Sequence, residues 1–263
     1  MFRIGTTSYI IPAGILPNVR HLAGRVSDIQ LVLFETDEQG SNLPDEALRC
    51  ALRDEAARHG LSYTVHLPLD LRLADGGEAE SRSLRQARRT IEATRGLDPY
   101  GYTLHLDATL LPPPWGACQS GALPLAIWRE QAIRALAALS RWVPDPARLC
   151  IENLECADPD AFAPLFDRLP VSRTVDIGHL WLQGRDPVAA LEAWLPRTRI
   201  VHLHGIGTRD HQSLRHVPHD RLAPLLRMLR DRFDGVLTLE LFNEPDLAES
   251  LDAVRAAGEE VPA

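Results

Sequence analysis

The sequence predicts a single (β/α)8 TIM barrel over residues 1–263, and three observations predict it. Eight short apolar runs recur about 25–45 residues apart, each followed by a longer amphipathic or Ala/Leu/Arg-rich stretch, which is the spacing of βα units. The runs are apolar almost without a break, as strands covered by helices on both faces must be. A chain of 263 residues also matches the roughly 250 residues that eight such units need in one domain. The competing arrangement, an open doubly wound sheet, would carry a Gly-rich phosphate loop after its first strand. None follows the first run here.

In order, strands are expected at FRIGTTS from Phe2, IQLVLFE ending at Glu35, YTVHLPL from Tyr63 and YTLHLDA from Tyr102. RLCIENLE ending at Glu155, RTVDIGHL from Arg173, RIVHLHGIG from Arg199 and GVLTLELF ending at Phe242 complete the set. Helices are expected at 44–59, 78–95, 124–142, 158–168, 186–194, 220–233 and 244–257. Pro44, Pro159 and Pro187 suit the first turn of their helices, where a missing N–H loses no hydrogen bond. Two connections are longer than packing requires. One covers residues 108–123, with Pro112, Pro113 and Pro114 in succession, Trp115 and Cys118; the other covers residues 205–219. Both follow strand ends, so both belong to the barrel mouth, where barrel enzymes keep their active sites.

Composition excludes several classes. With 28 Lys+Arg against 36 Asp+Glu and a net charge of -8, the chain lacks the basic face of a sequence-independent nucleic-acid binder. Cys50, Cys118, Cys150 and Cys156 form no CxxC pair, which argues against a zinc ribbon or a disulfide scaffold. The N-terminus turns polar after Ile4, unlike a signal peptide, and no apolar run approaches the roughly 20 residues of a membrane span. The expectation is a cytoplasmic protein with no membrane span, no nucleic-acid partner and a small-molecule substrate.

Polar residues gather at the predicted strand ends. His66, His105, Glu152, Asp176, His202 and Glu240 each close an apolar run, and His179 follows three residues after Asp176. His202 and His204 share parity along one strand and can both face the mouth; Glu35 closes the second run in the same way. A lone strand-end histidine is more often a hydrogen-bonded structural residue. That explanation weakens when it must be repeated at equivalent positions around the barrel, because each unpaired buried charge costs several kcal/mol. A divalent cation neutralises carboxylates and uses imidazoles. Eight candidate ligands (His66, His105, Glu152, Asp176, His179, His202, His211 and Glu240), with His204, Asp210 and Glu35 in reserve, exceed the three or four that one ion uses. Two or three divalent ions are therefore expected, of zinc, manganese or iron. Several ions together suit displacement at phosphorus.

The order of these residues resembles the xylose-isomerase-like barrel superfamily (AP endonuclease family 2), through TVDIGH at 174–179, VHLHG at 201–205, DHQSL at 210–214 and TLEL at 238–241. In its endonuclease IV branch, the resemblance implies, counterparts of the eight candidates bind a trinuclear zinc cluster. That branch has aspartate two residues before the counterpart of His211; here Arg209 stands there and Asp210 is adjacent. The opening from Gly5 to Glu35, with VHLHGIGTRDHQSL, is similar to the cobamide-remodelling phosphodiesterases, which implies cleavage of a corrinoid nucleotide loop to give cobinamide. On that reading Glu152 and Glu240 are the catalytic carboxylates. Arg209 and Arg215 are candidate phosphate contacts, and Trp115 is a wall for the macrocycle. The alternatives are a single-metal sugar isomerase or epimerase built on Glu152, Asp176, His202 or His204, and Glu240; an abasic-site nuclease; and a non-enzymatic ligand-binding barrel.

Overall fold

The computed structural model of the protein describes residues 2–36, 40–118, 121–207 and 209–259. Eight parallel strands close into a barrel: β1 (Arg3–Thr7), β2 (Asp28–Val32), β3 (Ser62–His66), β4 (Tyr102–Leu104), β5 (Leu149–Glu152), β6 (Ser172–Asp176), β7 (Thr198–Leu203) and β8 (Val236–Leu239). They run round the barrel in chain order, and β8 pairs with β1 to close it. Outside lie α1 (Ile15–Leu22), α2 (Glu46–His59), α3 (Gly77–Thr94), α4 (Leu125–Leu139), α5 (Ala163–Arg168), α6 (Ile177–Leu182), α7 (Pro187–Trp194), α8 (His219–Arg232) and α9 (Glu244–Glu259). No helix among the described residues is long and apolar enough to cross a membrane.

The period of two along each strand divides the labour. Outward residues such as Val65, Leu104, Ile151, Val175, Val201 and Leu239 are fully or almost fully buried under helices, and their apolar area is the main stabilising term. The inward set is narrower and polar. Thr64, Thr103, Thr174 and Thr238 each lie two residues before a strand-end histidine or carboxylate and are buried. Thr103 and Thr174, on strands that are not neighbours, meet across the interior with their hydroxyl oxygens 2.9 Å apart. Small hydroxyl side chains thus fill the barrel floor, and they set the larger ligating side chains on the layer above.

Two helices depart from the expected set. Ile15, Val19 and Leu22 give α1 its buried face, but eight residues are too few for a clear helical period. α6 begins where the sixth apolar run suggests strand, because the Asp176 carboxylate accepts from the His179 backbone N–H at 2.6 Å and caps a helix at that point. The second strand ends at Val32, not at Glu35; Glu35–Thr36 forms a separate two-residue ladder with Gly40–Ser41. Of the two long mouth loops, positions 119, 120 and 208 lie outside the described residues.

Asn18 on α1 organises the chain after β1. It is fully buried; its Oδ1 accepts from the N–H groups of Ile10 and Ile11 at 2.8 and 2.9 Å, and its amide donates towards the carbonyls of Ile11, Ala13 and Gly14. Asn18→Ala would strand these backbone groups and should lower stability by about 2–3 kcal/mol. Urea unfolding checks this; a loss below about 0.5 kcal/mol would show that water replaces the amide without cost.

Candidate metal centre

At the C-terminal ends of the strands, histidines and carboxylates form three groups whose ligating atoms lie within 4.8 Å of one another. The first is His66, His105 and Glu152; the second is Glu152, Asp176, His202 and Glu240; the third is His179, His204, Asp210 and His211. Glu152 belongs to two of them. One of its oxygens, Oε2, faces His66 Nε2 at 3.3 Å and His105 Nε2 at 2.9 Å, while Oε1 faces His202 Nδ1 at 2.8 Å. Asp176 joins the second group to the third, 3.3 Å from His204 Nε2. The two groups also meet through Glu240 Oε2, which lies 3.0 Å from His202 Nδ1 and 3.4 Å from His211 Nε2.

The supporting contacts aim the ligating atoms inward. His66 Nδ1 lies 2.7 Å from the Leu67 carbonyl and His179 Nδ1 lies 2.9 Å from the Asn153 carbonyl. A proton held there leaves each Nε2 lone pair pointing at the centre, as in histidines that bind metal. Asn153 also exchanges two hydrogen bonds with the Asp176 backbone, both 2.9 Å, which locks β5 to the start of α6. Gly178 is needed for space: a Cβ there would overlap the His204 ring. His211 takes a left-handed backbone at φ 54°, a strained conformation for a residue with a side chain; its ring stacks on His204 with centroids 4.2 Å apart.

The charge balance follows from this packing. Burial alone would raise Glu152 and Glu240, but His202 and its neighbours outweigh it and hold both carboxyls well below their usual range. Asp176 behaves likewise: burial raises it, and His179 and His204 bring it below its ordinary value. For the histidines burial acts downward, yet the facing carboxylates raise His202 well above its ordinary value and bring His179 and His204 to about 9. Four carboxylates (Glu152, Asp176, Asp210 and Glu240) interleaved with imidazoles form a donor set suited to divalent cations. One orphan atom supports the fit. Gln30 Nε2 sits 2.8 Å from His202 Nε2 while the buried Gln30 Oε1 has no partner. An ion on Nδ1 would leave the His202 proton on Nε2, where the Gln30 carbonyl, with its amide turned over, accepts it.

Every strand-end residue expected from the sequence except Glu35 is brought into these groups, and His204 and Asp210 lie within the third. Asp210, adjacent to His211, is the carboxylate of that third group. Four expected site residues stand elsewhere. Glu35 lies beyond the end of β2 and pairs with Arg89 of α3. Arg209 is held by Asp246 at 2.6 Å and Arg215 by Glu249 at 2.7 Å, both on α9. Trp115 packs beside Arg129 of α4, with its carbonyl accepting from the Asp158 N–H at 3.0 Å, and it does not line the cavity at the centre. That cavity has a volume of about 300 Å³, and its wall includes Val32, Leu69, Glu155 and Phe242 beside the ligating residues. Gln30, Asn153, Gly178 and Glu155 are not among the residues expected at the site; Asn153 and Glu155 stand in the run that carries Glu152, and Gly178 stands inside the TVDIGH segment, so position marked them but role did not.

A closed barrel whose mouth gathers histidines and carboxylates into groups that could hold divalent ions is the architecture on which the family assignment rests. The chain belongs to the xylose isomerase-like TIM barrel family, whose model matches residues 27–257. Among solved structures it is similar to a D-tagatose 3-epimerase-like protein (17% identity, TM-score 0.76, 98% of this chain and 97% of that one). It is also similar to endonuclease IV from Thermus thermophilus (20% identity, TM-score 0.72, 98% of this chain and 100% of that one). A third is D-psicose 3-epimerase from Clostridium cellulolyticum H10 (11% identity, TM-score 0.73, 100% of both chains). No curated protein matches the chain.

Two outcomes are expected. His66→Ala and His105→Ala should each lower bound metal by about one ion per chain in elemental analysis, because both residues belong to a group separate from the second one. Unchanged stoichiometry would return them to a structural role. The second concerns pH in the metal-free protein. A histidine raised in the folded state stabilises fully below its unfolded value near 6.5 and loses that contribution as pH climbs to its folded value. With His179 and His204 at about 9, the metal-free melting temperature should fall between about pH 6.5 and 9. Bound metal, which displaces those protons, should flatten the profile. A metal-free profile flat over that range would refute the charge balance.

Proposed function

We propose that the protein is a metal-dependent phosphodiesterase that uses two or three divalent ions, and that its substrate is a cobamide. The product would be cobinamide, released with a nucleotide fragment that keeps the phosphate. The observation that carries the reading is the division of Glu152 between two histidine groups, with a third group adjoining them. A single-ion isomerase could use Glu152, Asp176, His202 and Glu240 alone. It would leave His66, His105, His179, Asp210 and His211 at the wall of the same cavity, and His204 behind them, without a task.

Bound divalent ions would lower the pKa of a water and offset charge on the phosphate and the departing oxygen. The chain's own residues do the rest. Glu152 fixes the spacing of the two sides, and Glu240 holds His202 and His211 from the opposite wall. Arg209 and Arg215 are engaged by α9 carboxylates, and the histidine and metal side of the site meets the phosphate charge from within the cavity. Cys150, two residues before Glu152, is buried, with burial pushing it up to about 12, and offers no thiolate to compete with water. Water attack on phosphorus then breaks the bond to the corrinoid-side oxygen, which leaves as an alcohol after taking a proton. Glu155, half exposed at the mouth and 3.4 Å from His179, is placed to pass protons to solvent.

Incubation of metal-loaded protein with cobalamin, read by mass spectrometry, should give cobinamide and the phosphorylated nucleoside. Glu152→Gln should retain the fold and lose more than about a hundredfold in turnover, since the amide keeps the shape but not the anion. An unchanged corrinoid under metal-replete, reducing conditions, with epimerisation of a ketose by the same preparation, would favour the single-ion isomerase.

A further inference from the structure

Six large apolar side chains are exposed among the described residues: Tyr9, Phe34, Leu69, Ile127, Leu182 and Phe242. Ile127 and Leu182 sit on α4 and α6. The other four follow the C-terminal ends of β1, β2, β3 and β8 by two or three residues. These four strands are consecutive in the closed barrel, in the order β8, β1, β2, β3. The exposed apolar groups therefore form an arc along one half of the mouth. The opposite half, after β5 and β7, presents Glu155, Arg209 and Asp210 instead.

Two of the four reach the metal centre. Leu69 and Phe242 line its cavity, and the Phe242 ring lies 5.4 Å from that of His211. The arc is also held in place. Asn18 pins the backbone from Ile10 to Gly14, directly after Tyr9. Asn42 does the same for Phe34: its Oδ1 accepts from the Phe34 N–H at 2.8 Å, and its amide donates to the Val32 carbonyl at 3.0 Å. Ordering exposed aromatic residues by dedicated side-chain hydrogen bonds reduces the entropy lost when a ligand lands on them. Size points the same way. A cavity of about 300 Å³ is at the small end for ligand pockets and admits a phosphodiester but not a macrocycle.

We propose that Tyr9, Phe34, Leu69 and Phe242 form a rim subsite outside the cavity. It would hold the apolar face of a ring system too wide to enter, while the attached phosphodiester reaches down to the metal centre. The inference rests on the phosphodiesterase reading for its ligand, the corrin ring. It takes the part expected of Trp115, which packs beside Arg129 of α4 and does not line the cavity.

Binding of cobinamide, which has the ring but no nucleotide loop, separates this inference from the reaction. Equilibrium dialysis followed by corrin absorbance would compare wild-type protein with the Phe34→Ser/Leu69→Ser double variant, with melting temperature and bound metal as folding controls. Both side chains are exposed, so the fold should persist. The wild type should bind cobinamide, and the double variant should weaken binding by at least about tenfold. Binding by the wild type with no hydrolysis of cobalamin would remove the proposed reaction and leave the rim subsite standing. Equal binding by both proteins, or no binding by the wild type, would overturn the subsite even if cobalamin is hydrolysed.

Discussion

Everything at the mouth of this barrel depends on how the charge of Glu152 is shared. Its carboxylate is almost fully buried, and an isolated buried carboxylate would cost several kcal/mol. Each oxygen faces a different set of imidazoles, so the same group neutralises two sites and fixes the distance between them. Asp176 repeats the device one strand further on, joining the second group to the third while capping α6. A carboxylate with two directions of demand cannot drift towards either without unpairing the other.

The barrel supplies these directions cheaply. Parity along each strand sends residues two apart to the same side, so hydroxyl residues at the floor and ligating residues above them come from one repeated pattern. The shared interior also explains why so many polar groups can be buried without collapse of the fold: Thr103 and Thr174 satisfy each other, and Asn153 bonds both the Asp176 backbone and the His179 ring. The core outside the strands remains apolar and independent of the site.

The strands, their order and most of the histidines and carboxylates that meet at the mouth were legible because buried parallel strands leave an uninterrupted apolar signal, and a histidine or carboxylate at its end stands out. Where that signal failed, the cause was local. Alternation cannot tell a strand tail from a first helical turn, so α6 was hidden by the apolar residues of the Asp176–Leu182 segment. Glu35 shared the sequence position of a strand-end ligand, but β2 stops three residues earlier and the carboxylate turns to Arg89. Arg209 and Arg215 looked available until α9 brought Asp246 and Glu249 to them. Gln30 and Gly178 act only through a neighbour, by a hydrogen bond to His202 and by leaving room for His204. Gly178 stands inside the TVDIGH segment, but nothing in the sequence says that its missing side chain makes room for His204. The exposed apolar positions were equally invisible as a set, because they are distant in the chain and the strands that carry them become neighbours only when β8 closes on β1.

Catalysis on the proposed reading is therefore a matter of spacing set by one residue. The most direct measurement is X-ray anomalous scattering from crystals grown with manganese or zinc, recorded at the metal edge. Shared ligation predicts at least two peaks, one beside each Glu152 oxygen, with the first contacted by His66 and His105 and the second by His202. A single peak among Asp176, His202 and Glu240, with His66 and His105 hydrogen-bonded only to protein, would contradict it.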